Sequence, residues 1–113
     1  MRTIIAGSRS ITDYATIESA VAESGFQITE VISGGARGVD ALGEEWAMRH
    51  QVPFRRFPAD WDAHGKSAGM IRNREMAEIA EALVLCWDGL SKGSKNMLKE
   101  AERRGLKIHV HYV

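Results

Sequence analysis

The chain has 113 residues, 44% hydrophobic and 27% charged, a balance that fits one globular domain over residues 1–113 and excludes a disordered chain. Lys plus Arg and Asp plus Glu each number 15, so the formal net charge is zero; this argues against nucleic-acid binding by a broadly basic surface and leaves only local basic loops. The lone cysteine, Cys86, excludes an internal disulfide framework and a cysteine-based zinc cluster.

Taken in chain order, apolar runs suited to buried strands alternate with segments of helical spacing. Thr3–Ala6 reads as the first strand. Tyr14, Ile17 and Val21 recur at three and four residues, with Gly25 as a C-terminal stop. Glu30–Ser33 is the second strand, followed by a helix carrying Val39, Leu42 and Trp46, for which Asp40 is the expected N-cap. Phe54–Phe57 is the third strand, Met76, Ile79 and Ala80 mark a third helix, and Ala82–Trp87 is the fourth strand. Met97, Leu98 and Ala101 mark a fourth helix closed by Gly105, and Lys107–Val113 reads by its alternation as a last, edge strand. Alternation of this kind predicts a Rossmann-like three-layer α/β sandwich. Its five-stranded, mainly parallel sheet should have the order 3-2-1-4-5. Ligands of such sheets bind beyond the carboxyl ends of the strands, at the switch point between strands 1 and 4.

The loops at that end are unusual. They are Gly7-Ser8-Arg9, then Ser33-Gly34-Gly35-Ala36-Arg37-Gly38-Val39-Asp40, then a long stretch from Ala59 through Asp60-Trp61 to Arg72-Asn73-Arg74-Glu75-Met76, and finally Trp87-Asp88-Gly89 with Ser91-Lys92-Gly93-Ser94. Glycine lets backbone approach a ligand closely, and a helix N-terminus offers free N–H groups and positive dipole to an anion. Ser8, Ser33, Ser91 and Ser94 add hydroxyls, while Arg9, Arg37 and Arg72 can pair with phosphate oxygens. One such loop is easily just a tight turn; three at one sheet end point to a phosphate-bearing ligand. Gly65-Lys66-Ser67 is not a P-loop, because Asp60 stands at the leading glycine position, and Gly34–Gly38 does not spell G-x-G-x-x-G.

Ser33–Asp40 resembles the SG-x-A-x-GID signature of the DprA branch of the SLOG superfamily, which also contains the LOG phosphoribohydrolases. The fuller set of loops, nearly the whole chain, resembles the small YspA-like, cpYpsA-related SLOG branch. The resemblance implies a Rossmann-like sheet and a nucleotide-derived ligand of the nucleoside monophosphate or ADP-ribose kind. It also allows an N-glycosidic hydrolase or a single-stranded-DNA binder. Arg72 fits the arginine of the LOG enzymes, but Met97 stands where they carry a catalytic glutamate. Glycosidic cleavage builds positive charge on the sugar, so a relocated carboxylate, Asp60, Glu75 or Asp88, would have to replace it.

Single residues carry competing readings. Asp40 as a helix cap would act on a ligand only indirectly, and Arg74 is placed to pair with Glu78 at i,i+4. Trp46 is a core packer, whereas Trp61, in a polar loop, either stacks on a base or covers the core edge; Trp87 can serve either purpose. The expected ligand set is therefore Gly7, Ser8, Arg9, Ser33–Gly38, Asp40, Asp60, Trp61, Arg72, Asn73, Trp87, Asp88, Ser91, Gly93 and Ser94. His109 and His111 share one face of the last strand, but no third ligand is apparent, so no metal and no cofactor are expected. Cys86 reads as an inert buried thiol. No apolar run approaches the roughly 18 residues of a membrane span, so a cytoplasmic protein is expected. A dimer or higher homo-oligomer would enlarge the modest core of so short a chain.

Overall fold

In a parallel sheet covered on both faces, strands are apolar throughout instead of alternating. β1 (Arg2–Gly7) and β4 (Ala82–Trp87) show this pattern, with Ile4, Ile5, Leu83, Val84 and Leu85 wholly buried. The computed structural model describes residues 1–113. Its remaining strands are β2 (Glu30–Ser33), β3 (Phe54–Arg56) and β5 (Lys107–Tyr112). All pairings are parallel, in the order β3-β2-β1-β4-β5, as the alternation predicts.

Helices cover both faces. α1 (Tyr14–Ser24) is capped by Asp13, whose side chain accepts from the Ala15 N–H at 3.1 Å, and it ends at Gly25 in the left-handed region. With α2 (Val39–Arg49) it packs Ile17, Ala20, Trp46 and Ala47 against Ile5, Val31, Val84 and Cys86. On the opposite face, α4 (Ala68–Ile79) and α5 (Lys92–Arg103) pack Met76, Ala77, Met97 and Ala101 against Ile4, Ile32, Leu83 and Leu85. Each wholly buried Ile, Leu or Met contributes about 2 kcal/mol, so the two clusters fix which face every strand presents. Trp46 lies in the core as expected. Burial pushes the Cys86 thiol up to about 12, which leaves it unreactive. No helix is long and apolar enough to cross a membrane.

Between β3 and α4 the chain is more helical than its sequence suggests. The expected loop through Arg72–Met76 is instead a short helix α3 (Trp61–His64), a 3₁₀ turn (Gly65–Ser67) and the first turns of α4. Asp60 starts α3 by accepting from the Ala63 N–H at 3.0 Å. Two smaller expectations also fall. Gly38, not Asp40, is the N-cap of α2. Glu78 pairs with Arg104 at 3.2 Å, not with Arg74.

Candidate functional site

Three loops lock together at the carboxyl ends of β1, β2 and β4. Gly7 closes β1 so near its neighbour that a Cβ there would collide with the Cys86 carbonyl oxygen. The next residue, Ser8, donates its N–H to that carbonyl at 3.1 Å, and its hydroxyl accepts from the Asp88 N–H at 3.2 Å. From the other side, Gly38 (φ 76°) approaches so closely that a Cβ would lie 2.5 Å from Arg9 Cα. Both the conformation and the space demand glycine. The buried, hydrogen-bonded Ser8 is thus the clasp between the loops.

Above this clasp lies a cavity of about 720 Å³ at the β1/β4 switch point. Gly7, Ser8 and Arg9 line one wall, Ala36, Arg37 and Asp40 a second, Arg72 and Asn73 a third, and Asp88, Ser91, Gly93 and Ser94 a fourth. An adjoining cavity of about 520 Å³ shares Arg9, Ala36, Arg37 and Arg72, and adds Gly34, Gly35 and the 53% exposed Trp61. The lining combines many polar groups with few apolar ones, which suits a charged ligand better than a lipid-like one.

Charge is divided unevenly around the molecule. Arg2, Arg49, Arg55, Arg56, Arg103 and Arg104 each sit within 4.0 Å of a glutamate. Arg9, Arg37 and Arg72, the cations of the cavity, make no such pair. Half-buried Arg72 donates Nη1 to the Gly34 carbonyl at 2.7 Å and Nε to Asn73 Oδ1 at 3.0 Å. Asn73 is itself held by donating to Asn96 Oδ1 at 2.8 Å. The guanidinium is aimed by neutral groups, which leaves its charge for something else. Burial lowers its pKa from the ordinary value, while the charge of Asp40 opposes the fall.

Two carboxylates face the same space. Asp40 is buried in the first turn of α2, where its Oδ2 accepts from the Ala36 N–H at 3.2 Å. Burial raises its pKa to about 6, against the pull of that N–H and of Arg72. Asp88 is exposed, and the N–H groups of Ser91 and Leu90, at 2.9 and 2.8 Å, hold its pKa below the usual carboxylate range. A third acid, Glu44, lies one turn after Asp40, outside the cavity. Burial would raise its pKa, but the hydrogen bonds of Arg56 and Ser33 outweigh this and hold it low.

Several expected ligand residues line neither cavity and make contacts within the scaffold. Ser33 donates to Glu44 Oε2 at 2.6 Å and accepts from the Gly35 N–H, so its hydroxyl supports the glycine loop from below. Gly38 supplies close approach, Asp60 caps α3, and Glu75 is exposed on α4; none of them lines either cavity. Trp87 turns away from the cavity to stack on Tyr112, and its Nε1 donates to the Ser91 carbonyl at 3.1 Å. Of the carboxylates considered for catalysis, Asp88 alone reaches the cavity; Asp40, expected both as a cap and in the ligand set, joins it. Met97, in place of a glutamate, is buried and lines the same wall as Gly93 and Ser94. Ser10, Thr12 and Met76 also line the cavity and were missed. Glu44 was missed too, though an acid four residues after Asp40 on the buried stripe of α2 was a usable signal.

Fold and site together define a Rossmann-like α/β protein with an arginine-lined polar cavity at its switch point. Residues 1–64 match the family described as the YspA, cpYpsA-related SLOG family. The "Gene 61 protein" of Mycobacterium phage D29 is 35% identical over 117 residues, covering 95% of this chain and 93% of that protein. The chain belongs to the YspA, cpYpsA-related SLOG family. Its fold is shared with the DNA processing protein A (DprA) of Streptococcus pneumoniae, with a TM-score of 0.75 at 15% identity over 96% of this chain. The chain spans about half that structure, 49% of its length. Zero net charge does not exclude nucleic acid, because Arg9, Arg37 and Arg72 bring local positive charge to one cavity.

Proposed function

We propose that this protein binds a nucleotide-derived phosphate ligand at the carboxyl ends of its strands. The observation that carries the reading is the convergence of Arg9, Arg37 and Arg72, none paired with a carboxylate, on one cavity floored by glycine loops. Phosphate oxygens would take the arginine donors and the N–H groups at the start of α2, an end that no side chain caps. The base or sugar would extend into the adjoining cavity, where Trp61 offers an exposed ring for stacking.

A hydrolytic reading stays secondary. Met97 places a thioether where glycosidic cleavage needs a carboxylate, so turnover would fall to Asp88 or Asp40. Single-stranded DNA is the other alternative, favoured by the shared cations and the exposed tryptophan.

The test is thermal unfolding of the chain against AMP, ADP, ADP-ribose, NAD and single-stranded DNA. A ligand at about 100 times its Kd adds about 2.7 kcal/mol. For a domain of this size that is a rise of roughly 10 °C. A rise with one nucleotide, with no free base released over time, supports binding; released base supports the hydrolase. A rise with DNA alone, weakening steeply with salt, would replace the nucleotide reading. No rise with any of them defeats it.

A further inference from the structure

The alternating histidines of β5 acquire a partner that the sequence does not reveal. Their register neighbours in β4 are Val84 for His109 and Cys86 for His111, both in the core beneath α1 and α2. Both imidazoles therefore stand on the face that α1 crosses, and they meet Glu23 from the last turn of that helix. Glu23 Oε1 lies 3.3 Å from His109 Nε2 and 2.9 Å from His111 Nδ1. One donor atom from each of the three residues lies within 4.8 Å of the others.

The geometry points to a binding site for a divalent late transition-metal ion, zinc foremost, held by Glu23, His109 and His111. Zinc takes imidazole nitrogen and carboxylate oxygen at about 2.0–2.2 Å, so neighbouring ligand atoms of a tetrahedral ion stand about 3.3 Å apart. The His109 separation of 3.3 Å matches that spacing, and the His111 separation of 2.9 Å is somewhat shorter. Two neutral imidazoles with one carboxylate suit zinc, nickel or copper, and are a poor set for calcium or magnesium, which require several oxygens. The histidines are partly buried, with side chains 27% and 21% exposed, which limits their freedom. Glu23 is 51% exposed, so the fourth position opens to water. None of the three lines the arginine cavity, and the site stands or falls independently of the nucleotide reading.

The competing account is two hydrogen bonds to one carboxylate oxygen. Calorimetric titration of the full chain, freed of metal with chelator, against zinc chloride distinguishes them. The expected result is one ion per chain, with affinity reduced at least about tenfold in His111→Ala and in Glu23→Gln. Glu23→Gln preserves the shape of an exposed side chain, so it remains informative if His111→Ala fails to fold. The His50→Ala, His64→Ala double variant, which alters the two other histidines, should bind as the parent does. Cobalt in place of zinc should give the visible bands of a four-coordinate nitrogen–oxygen site. Absence of saturable binding, or an affinity indifferent to Glu23→Gln, overturns the assignment.

Discussion

Nine of the ten arginines in this chain fall into two sets that do opposite work with the same side chain, and the tenth, Arg74, is exposed on α4 and belongs to neither. Six lie away from the switch point, each against a glutamate, and Arg56 even reaches buried Glu44 with two donors at 3.0 and 2.6 Å. Three gather at the cavity, where Arg72 is fixed by a carbonyl and an amide and Arg9 and Arg37 by no carboxylate. The first set pairs within helices (Arg49–Glu45, Arg103–Glu100), between helices (Arg104–Glu78), from strand to helix (Arg56–Glu44) and from strand to strand (Arg55–Glu30). The second set gathers three cations at one cavity with no carboxylate in direct contact, although Asp40 and Asp88 face the same space. A formal net charge of zero hides this division completely.

The sharpest way to break the comparison is Arg72→Ala. Loss of a charge-assisted contact of about 3 kcal/mol should weaken the responding nucleotide by about 100-fold, read by calorimetry. Next is Asp40→Asn, which tests whether the cavity stores electrostatic strain. Asp40 is protonated more easily in the fold than when unfolded, so its contribution favours the fold below the ordinary value of 3.8 and is lost as pH rises through about 6. The asparagine should therefore stabilise the protein at pH 8 by up to about 3 kcal/mol, at 1.36 kcal/mol for each unit. The gain should vanish near pH 4, as urea unfolding at the two pH values would show. Arg9→Ala and Arg37→Ala should each cost about tenfold in binding, with stability unchanged within about 0.5 kcal/mol. At the bottom of the scale, Arg104→Ala breaks an exposed pair and should change stability by about 0.5 kcal/mol or less, and binding not at all. Equal losses of binding from Arg104→Ala and Arg9→Ala would erase the distinction between the two sets.

Strand order and the glycine loops were legible because burial on both faces leaves uninterrupted apolar runs, such as Ala82–Trp87, that stop at glycines and polar caps. The start of α4 was not. Its first turns carry Gly69, Asn73 and the exposed Met70 and Arg74, so its apolar stripe is too weak to announce a helix. Asp40 was misread because a carboxylate beside a helix start has two local uses, and only the three-dimensional path of Ala36 chooses between them. Trp87 was left open because its direction depends on Tyr112, a neighbour on the adjacent strand. The meeting of Glu23 with His109 and His111, 86 and 88 residues away, has no local signal at all. The pattern is consistent: what one segment decides alone can be read from it, and what two distant segments decide together cannot.

The all-parallel order has a consequence for synthesis. β1, made first, sits at the centre and waits for β4, whose first residue comes 80 positions after Arg2. The growing chain carries the residues of the Gly7 and Gly34–Gly38 loops in its first half. It lacks Arg72, Asn73 and the Ser91–Ser94 wall until α4, β4 and α5 have emerged. The cavity thus closes only around a finished sheet, and a nascent or truncated chain would carry the glycine loops without the walls that complete them.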